Sequence, residues 1–418
     1  MNKLGLAAVT VVFSLFIFAN NSFAAESVPG EFLVKIKPVK GTKTSVLNVE
    51  MLLGAQVKSR FQGDRNLFVV KKEGPQTAAL ESFLSNGVVE FAEPNYIYRI
   101  DSTPNDADYN KSWSLHGTTG FDINAEKAWD ISTGSKDIVI AVVDTGIDLR
   151  HSDLKDNLWT NVKELNGKKG VDDDGNGFID DIHGYNFYSK NGNPQDGHGH
   201  GSHCSGVIGA RGNDGYGIAG VNWKVQLMAV KFLSDEGSGT LEDAVKAIDY
   251  AVANGARVLS NSWGGGGYSE ALKQAIVRAN AKGILFVAAA GNDSADNDGW
   301  DHYPSNYDVP NVLAVAATDR NGDLAEFSDY GLKTVHIAAP GVNVFSCFTG
   351  NSYDVMSGTS MATPHVAGVA GLILSTGSYD AVTVKKKILN SARPLKSLEG
   401  KIMTGGLLDA YKAMIQKD

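Results

Sequence analysis

Cys204 and Cys347 are the only cysteines in 418 residues. At most one disulfide is available, which excludes a small cross-linked scaffold; a chain this long can build its core without one. Two buried free thiols are therefore expected. Cationic residues are also scarce, with 38 Lys and Arg against 47 Asp and Glu, a net charge of −9. That balance argues against nucleic acid as a partner and suits a protein that recruits cations. Beyond residue 24 no segment is apolar enough to cross a bilayer. With 43% hydrophobic and 20% charged residues, the chain reads as soluble and globular, with two or three domains.

The first 24 residues differ in kind. Lys3 precedes an apolar run from Leu4 to Phe18, followed by Asn20, Asn21 and Ser22. Ser22-Phe23-Ala24 places small residues three before and one before a break after Ala24, the pattern a signal peptidase reads. The run is short for a membrane span of about 20 residues. Residues 1–24 are thus expected to be a signal peptide. The product would be secreted, into the medium or through a periplasm, with no membrane association after cleavage.

Residues 25–100 form a Lys-rich unit. Glu31 to Lys37 and Asn66 to Val70 alternate like half-buried strands, and Val46 to Leu53 follows helical spacing up to Gly54. Adding a strand near Ala55 to Phe61, a helix near Thr77 to Leu84 and a strand at Val88 to Phe91 gives the order β-α-β-β-α-β. This is a small α+β ferredoxin-like unit. Asp101 to Asp106 reads as a polar linker. In residues 101–418, apolar runs at Ile138–Val143, Val225–Phe232, Arg257–Ser260, Ile284–Ala289 and Val312–Ala316 alternate with helical segments. Such a pattern predicts an α/β fold, a doubly wound and mostly parallel sheet with helices on both faces. Functional residues are then expected at the carboxyl ends of the strands.

The first of these strands ends in Val142-Val143-Asp144-Thr145-Gly146. Alone, such an Asp is a turn former. Asp-Thr-Gly also suits an aspartic protease, but that mechanism needs two carboxylates sharing a proton, and no second Asp-Thr-Gly or Asp-Ser-Gly occurs. Next comes Gly197-His198-Gly199-His200-Gly201-Ser202-His203. Its three histidines raise a zinc site as an alternative, although the glycines suit close backbone approach better than rigid ligand placement. A third segment, Met356 to His365, opens a helix rich in Ala and Gly; Ser360 by itself would be a first-turn residue there.

Aspartate, histidine and serine in this order, each in a glycine-flanked segment, resemble the subtilisin family. Val143-Asp144-Thr145-Gly146, His200-Gly201-Ser202-His203 and Gly358-Thr359-Ser360-Met361-Ala362 match its blocks, and the likeness runs from about Pro104 to Leu407. The resemblance implies a serine endopeptidase acting on proteins and peptides through Ser360 as nucleophile, His200 as base and acid, and Asp144 as its orienting partner. Ala288-Ala289-Ala290-Gly291-Asn292 is similar to the oxyanion-hole block, which implies Asn292 as a donor. Asn261-Ser262-Trp263-Gly264-Gly265 and Gly237-Ser238-Gly239 match the edges that pair with extended substrate. Ser262, Gly264, Ala289 and Gly291 would line the primary pocket; Trp263 could equally pack on the surface. The first unit resembles the family's propeptide, implying the chain's own inhibitor, cut away between Ile100 and Pro104, and a monomeric enzyme. Three departures stand out: Ser202 replaces Thr, Cys204 replaces the common Val, and His198 lies on the approach to the cleft.

Calcium is the expected cofactor, structural and in two or more sites. Asp172-Asp173-Asp174-Gly175-Asn176-Gly177-Phe178-Ile179-Asp180 has the oxygen spacing of an EF-hand loop with Gly at position six. Position twelve is His183 instead of Glu. The ligand set read from the loop is Asp172, Asp174, Asn176, the Phe178 carbonyl and Asp181; a solvated acidic turn is the alternative. A second site is implied by resemblance to thermitase-like members of the family. Its ligands would be Asp106, Asp153 and Asp214, with the carbonyls of Arg211, Tyr216 and Ile218.

Overall fold

The computed structural model describes residues 27–38, 46–97, 103–117 and 119–416. The expected signal peptide and most of the expected processing linker lie outside them. The chain divides into two compact units, Met1–Arg99 and Ile100–Asp418.

The first unit contains β1 (Ser27–Ile36), α1 (Val46–Leu53), β2 (Gln56–Arg60), β3 (Leu67–Lys71), α2 (Gln76–Leu84) and β4 (Val89–Tyr96). Its antiparallel sheet has the order β2-β3-β1-β4. Alternation along β1 and β3 turns Phe32, Val34, Ile36, Phe68 and Val70 to one face, against Val49 and Leu53 of α1 and Ala79 and Phe83 of α2. The Phe32 and Phe83 rings meet edge to face at 5.3 Å.

The second unit begins with α3 (Ala125–Trp129), β5 (Gly134–Asp144), α4 (Val162–Leu165), β6 (Gly184–Asn186) and α5 (His200–Gly209). There follow β7 (Lys224–Lys231), α6 (Leu241–Ala253), β8 (Val258–Asn261), α7 (Glu270–Ala281), β9 (Leu285–Ala289), β10 (Val312–Thr318) and β11 (Ile337–Pro340). A hairpin of β12 (Val344–Phe348) and β13 (Ser352–Met356) leads into α8 (Thr359–Ser375) and α9 (Ala381–Asn390). The chain closes with β14 (Arg393–Pro394), β15 (Gly406–Leu407) and α10 (Ala410–Ile415).

The large sheet has the order β14-β15-β11-β10-β9-β8-β5-β7-β6 and is parallel except at its β14–β15 edge. Central strands with both faces covered must be apolar throughout, and β8, β9 and β10 are buried at every position. Strand β5 shows how one strand serves two cores. Ile138, Ile140 and Val142 join the layer containing α5 and α8, while Val139, Ala141 and Val143 join the layer containing α6 and α7. Thr240 and Ser269 cap α6 and α7, each accepting a backbone N–H of the first turn.

Helix α8 packs closely on strand β5 and on the loop before β7. A Cβ on Gly368 would stand 2.7 Å from Val221, and one on Gly371 would stand 2.9 Å from the Ile140 Cδ1. Ile140, fully buried, is therefore held between strand and helix. Ile140→Ala is expected to destabilise the protein by about 2–5 kcal/mol through lost burial and a residual cavity. Urea unfolding measures this, and a change below about 0.5 kcal/mol would contradict the packing described.

Candidate active site

Strands β9, β8 and β5 are neighbours, and their carboxyl ends lead to Asn292, Ser262 and Asp144 at one edge of the sheet. Asp144 is wholly buried. Its Oδ1 accepts from His200 Nδ1 at 2.7 Å and from the Thr145 N–H at 2.7 Å. Burial disfavours charge on the His200 imidazole, but the adjacent Asp144 carboxylate and their hydrogen bond outweigh it and hold its pKa above the ordinary histidine value. The ring therefore has its Nδ1 proton directed at Asp144, leaving Nε2 to exchange a proton.

His200 opens α5, and the loop before it is organised by Asp196, a residue with no recognisable motif in the sequence. The Asp196 carboxylate accepts from the N–H groups of His198, Gly199 and Ser202, from Ser202 Oγ at 2.7 Å and from Thr145 Oγ1 at 2.9 Å. A carboxylate at a helix N-terminus satisfies donors that otherwise lack partners. Ser202 also accepts the Asp148 N–H, so its hydroxyl supplies the polar contacts needed without the methyl of Thr.

Ser360 is the second residue of α8. Four residues on stands Pro364, which has no N–H to return to the Ser360 carbonyl. That carbonyl instead accepts from Ser262 Oγ at 2.9 Å and from Cys204 Sγ at 3.5 Å. The Ser360 hydroxyl in turn donates to the Ser262 carbonyl at 3.1 Å. Helix and sheet edge are thus joined reciprocally at the serine. Cys204 is fully buried, with its sulfur within 4.8 Å of ligand atoms of Asp144 and His200. Burial pushes its pKa well up and keeps the thiol protonated. Cys204 and Cys347 are both free.

Asn292 is exposed, yet its amide is oriented. The side-chain oxygen accepts from the Thr359 N–H at 2.9 Å and Thr359 Oγ1 at 3.0 Å, leaving Nδ2 to donate elsewhere. A Cβ built on Gly358 would stand 3.6 Å from the Ser360 nitrogen and 3.8 Å from Asn292 Nδ2. Both donors therefore border one small space beside Ser360, which only a residue without Cβ leaves clear.

A cleft of about 910 Å³ opens alongside, lined by His198, His200, Gly239, Ser262, Trp263 and Gly264 among others. Trp263 packs edge to face on Phe232 at 4.8 Å, so it is both a cleft wall and part of the packing. Ala289 and Gly291 are buried and lie outside this lining. Tyr268 and Tyr303 also line the cleft, their rings meeting edge to face at 5.6 Å. His203 does not join a three-histidine cluster: its Nε2 meets the Val344 carbonyl at 2.9 Å, and His200 is committed to Asp144.

Two acidic groups stand away from the cleft. Asp106, Asp153 and Asp214 gather where residues 105–108 are tied to the 211–218 loop, through Asn213 N to Asp106 at 2.6 Å and Asp108 N to the Gly217 carbonyl at 2.8 Å. Asp153 accepts from the Ile218 N–H and from Tyr353, both at 2.9 Å. Burial, with Asp214 and Asp106 adding like charge, pushes its pKa up to about 7. One buried oxygen of Asp106 and one of Asp153 have no hydrogen-bond partner. In the second group, Asp172 and Asp174 approach Glu164 within 4.8 Å. Glu164 was not singled out from the sequence. Asp181, which was, has its carboxylate engaged by Asn161, Asn176 and Tyr250. Asn176 points its oxygen at the Phe178 N–H.

A family model described as the subtilase family matches residues 135–407. The chain is 35% identical over 387 residues to a thermophilic serine proteinase of Bacillus sp. (strain AK1), spanning 93% of this chain and 88% of that one. It is 39% identical over 294 residues to thermitase of Thermoactinomyces vulgaris, spanning 70% and 93%. It spans less than half the length of the Plasmodium subtilisin-like proteases it also matches. A solved protease structure from Pseudoalteromonas arctica PAMC 21717 aligns with TM-score 0.62 at 29% identity, covering 75% of this chain and 99% of that one. With its mostly parallel sheet and these matches across most of its length, the chain belongs to the subtilase family of serine proteases.

Proposed function

We propose that Asp144, His200, Ser360 and Asn292 carry out peptide hydrolysis by this serine endopeptidase. The observation that carries the reading is the 2.7 Å bond from His200 Nδ1 to the buried Asp144, at the sheet edge where Ser360 meets Ser262. The Ser360 hydroxyl rotates from the Ser262 carbonyl toward His200 Nε2 and gives up its proton as Oγ bonds to the substrate carbonyl carbon. Asp144 stabilises the imidazolium. Charge developing on the carbonyl oxygen is met by the Ser360 N–H and Asn292 Nδ2. Collapse breaks the C–N bond, and His200 delivers its proton to the leaving amine. Water, deprotonated by His200, then releases the acyl group and restores the serine.

The substrate is an extended segment of protein, paired through its backbone with the edges at Gly239 and Ser262–Gly264. The first unit acts as an inhibitory propeptide, removed by cleavage between Ile100 and Pro104. Residues 1–24 direct export, and the mature enzyme is a monomer. Its calcium role is structural. The orphaned oxygens of Asp106 and Asp153 fit a hard cation, which demands oxygen ligands and relieves like-charge repulsion. Asp214 and the carbonyls of Arg211, Tyr216 and Ile218 complete that set. Asp172, Asp174, Asn176, Asp181 and the Phe178 carbonyl form the other, with Glu164 beside Asp172 and Asp174. Calcium at the first set ties residues near the mature N-terminus to the core.

Ser360→Ala is expected to abolish caseinolysis and leave the precursor uncleaved; a normally processed, active variant would refute the reading. Asn292→Ala should lower kcat by roughly 100- to 1,000-fold with KM little changed, the loss established for such a donor in subtilisin itself. Steady-state kinetics on a peptide anilide separates the two constants. Excess EDTA should lower Tm by about 5–10 °C, restored by added calcium. A melting transition indifferent to chelation would sink both calcium sites.

A further inference from the structure

The segment between Asp293 and Tyr307 brings a histidine to a position that the catalytic chemistry does not use. A Cβ built on Gly264 would lie 2.1 Å from His302 Cε1 and 2.4 Å from its Nε2, and one built on Gly291 would lie 3.0 Å from its Cδ2. The two glycines belong to the two chain segments that flank Ser360: Ser262 exchanges hydrogen bonds with it, and Asn292 Oδ1 accepts from the Thr359 N–H. The imidazole thus lies directly against Gly264, while at Gly291 the Asp329 carboxylate stands nearest, 2.0 Å from a built Cβ, with the imidazole edge beside it.

Its orientation is set locally. Ser305 Oγ donates to the His302 carbonyl at 2.8 Å and lies 3.0 Å from Nδ1. With the serine proton committed, Nδ1 carries the ring proton and Nε2 is bare. Burial lowers the pKa of this ring, against the opposing charges of Asp329 and Asp293. The ring is thus held in place through Ser305. Asp329, whose carboxylate lies against Gly291, is itself fixed by the N–H groups of Asp293 and Ala295.

We propose that His302 is the specificity-determining floor of the pocket for the substrate side chain just before the scissile bond, and that it restricts this pocket to small side chains such as Ala or Ser. This rests on the catalytic reading above. With the scissile carbonyl carbon at Ser360 Oγ and its oxygen toward Asn292, the adjoining side chain enters beside Gly264, which lines the cleft, and meets the imidazole lying against it. A short side chain fits above the imidazole, whereas an aromatic ring meets it. Deleting the imidazole deepens the pocket; shortening it to an amide deepens it partly.

The test uses the mature enzyme and two chromogenic peptides that differ only in Ala or Phe before the anilide. Active sites are counted with a fluorophosphonate, so folding losses do not enter the rates. Wild type should favour Ala by at least about ten-fold in kcat/KM, and His302→Gly should shift the ratio about 10- to 100-fold toward Phe, with His302→Asn between them. A wild type that prefers Phe, or a ratio unmoved beyond two-fold in both variants, would overturn the proposal. A wild type that cleaves neither peptide and takes up no fluorophosphonate would overturn the protease reading itself.

Discussion

Everything at the site depends on how closely helix α8 lies against the parallel sheet. Glycine at 368 and 371 lets its backbone reach Val221 and Ile140 without an intervening side chain. The helix is then long, buried and fixed along its length. Its N-terminus is consequently delivered to the ends of β8 and β9. There Pro364 withholds an N–H from the Ser360 carbonyl, and the sheet edge supplies Ser262 Oγ in its place. A missing hydrogen bond inside the helix has become a bond between helix and sheet.

Around that junction, fixed carboxylates hold the loops. Asp196 gathers the N–H groups ahead of His200, Asp329 gathers those after Asn292, and Glu164 accepts three from the acidic loop. Each bonds backbone donors that have no partner in a helix or strand, which is the requirement a buried turn must meet. The same economy of charge leaves Asp106 and Asp153 with oxygens that no donor reaches.

The strands were the most legible part of the sequence. Apolar runs at 138–143, 225–232, 284–289 and 312–316 appear as β5, β7, β9 and β10, with ends displaced by a few residues. Burial on both faces leaves a continuous apolar signal, and that signal is local. The caps of α6 and α7 are local too, since Thr240 and Ser269 each accept an N–H three residues on. The residues missed, Asp196, Glu164, His302 and Tyr303, lie in loops or a single helical turn. Their roles come from distant partners, and no periodicity marks them. Asp181 was legible by its spacing in the acidic loop, but its bonds to Asn161, Asn176 and Tyr250 were not.

By itself the sequence determined the chemical inventory: an aspartate ending an apolar strand, a histidine among glycines, and a serine four residues ahead of a proline. It also determined that these segments would share one sheet edge, because parallel strands present their carboxyl ends together. Only the tertiary structure decided which atoms meet. Asp144 and His200 lie 56 residues apart and form a 2.7 Å bond, while the imidazole of His302 lies directly against Gly264. Strand and helix signals repeat along the chain and survive in one dimension. Pocket depth and hydrogen-bond partners are set by side chains far apart in sequence, so they exist only once the layers have packed.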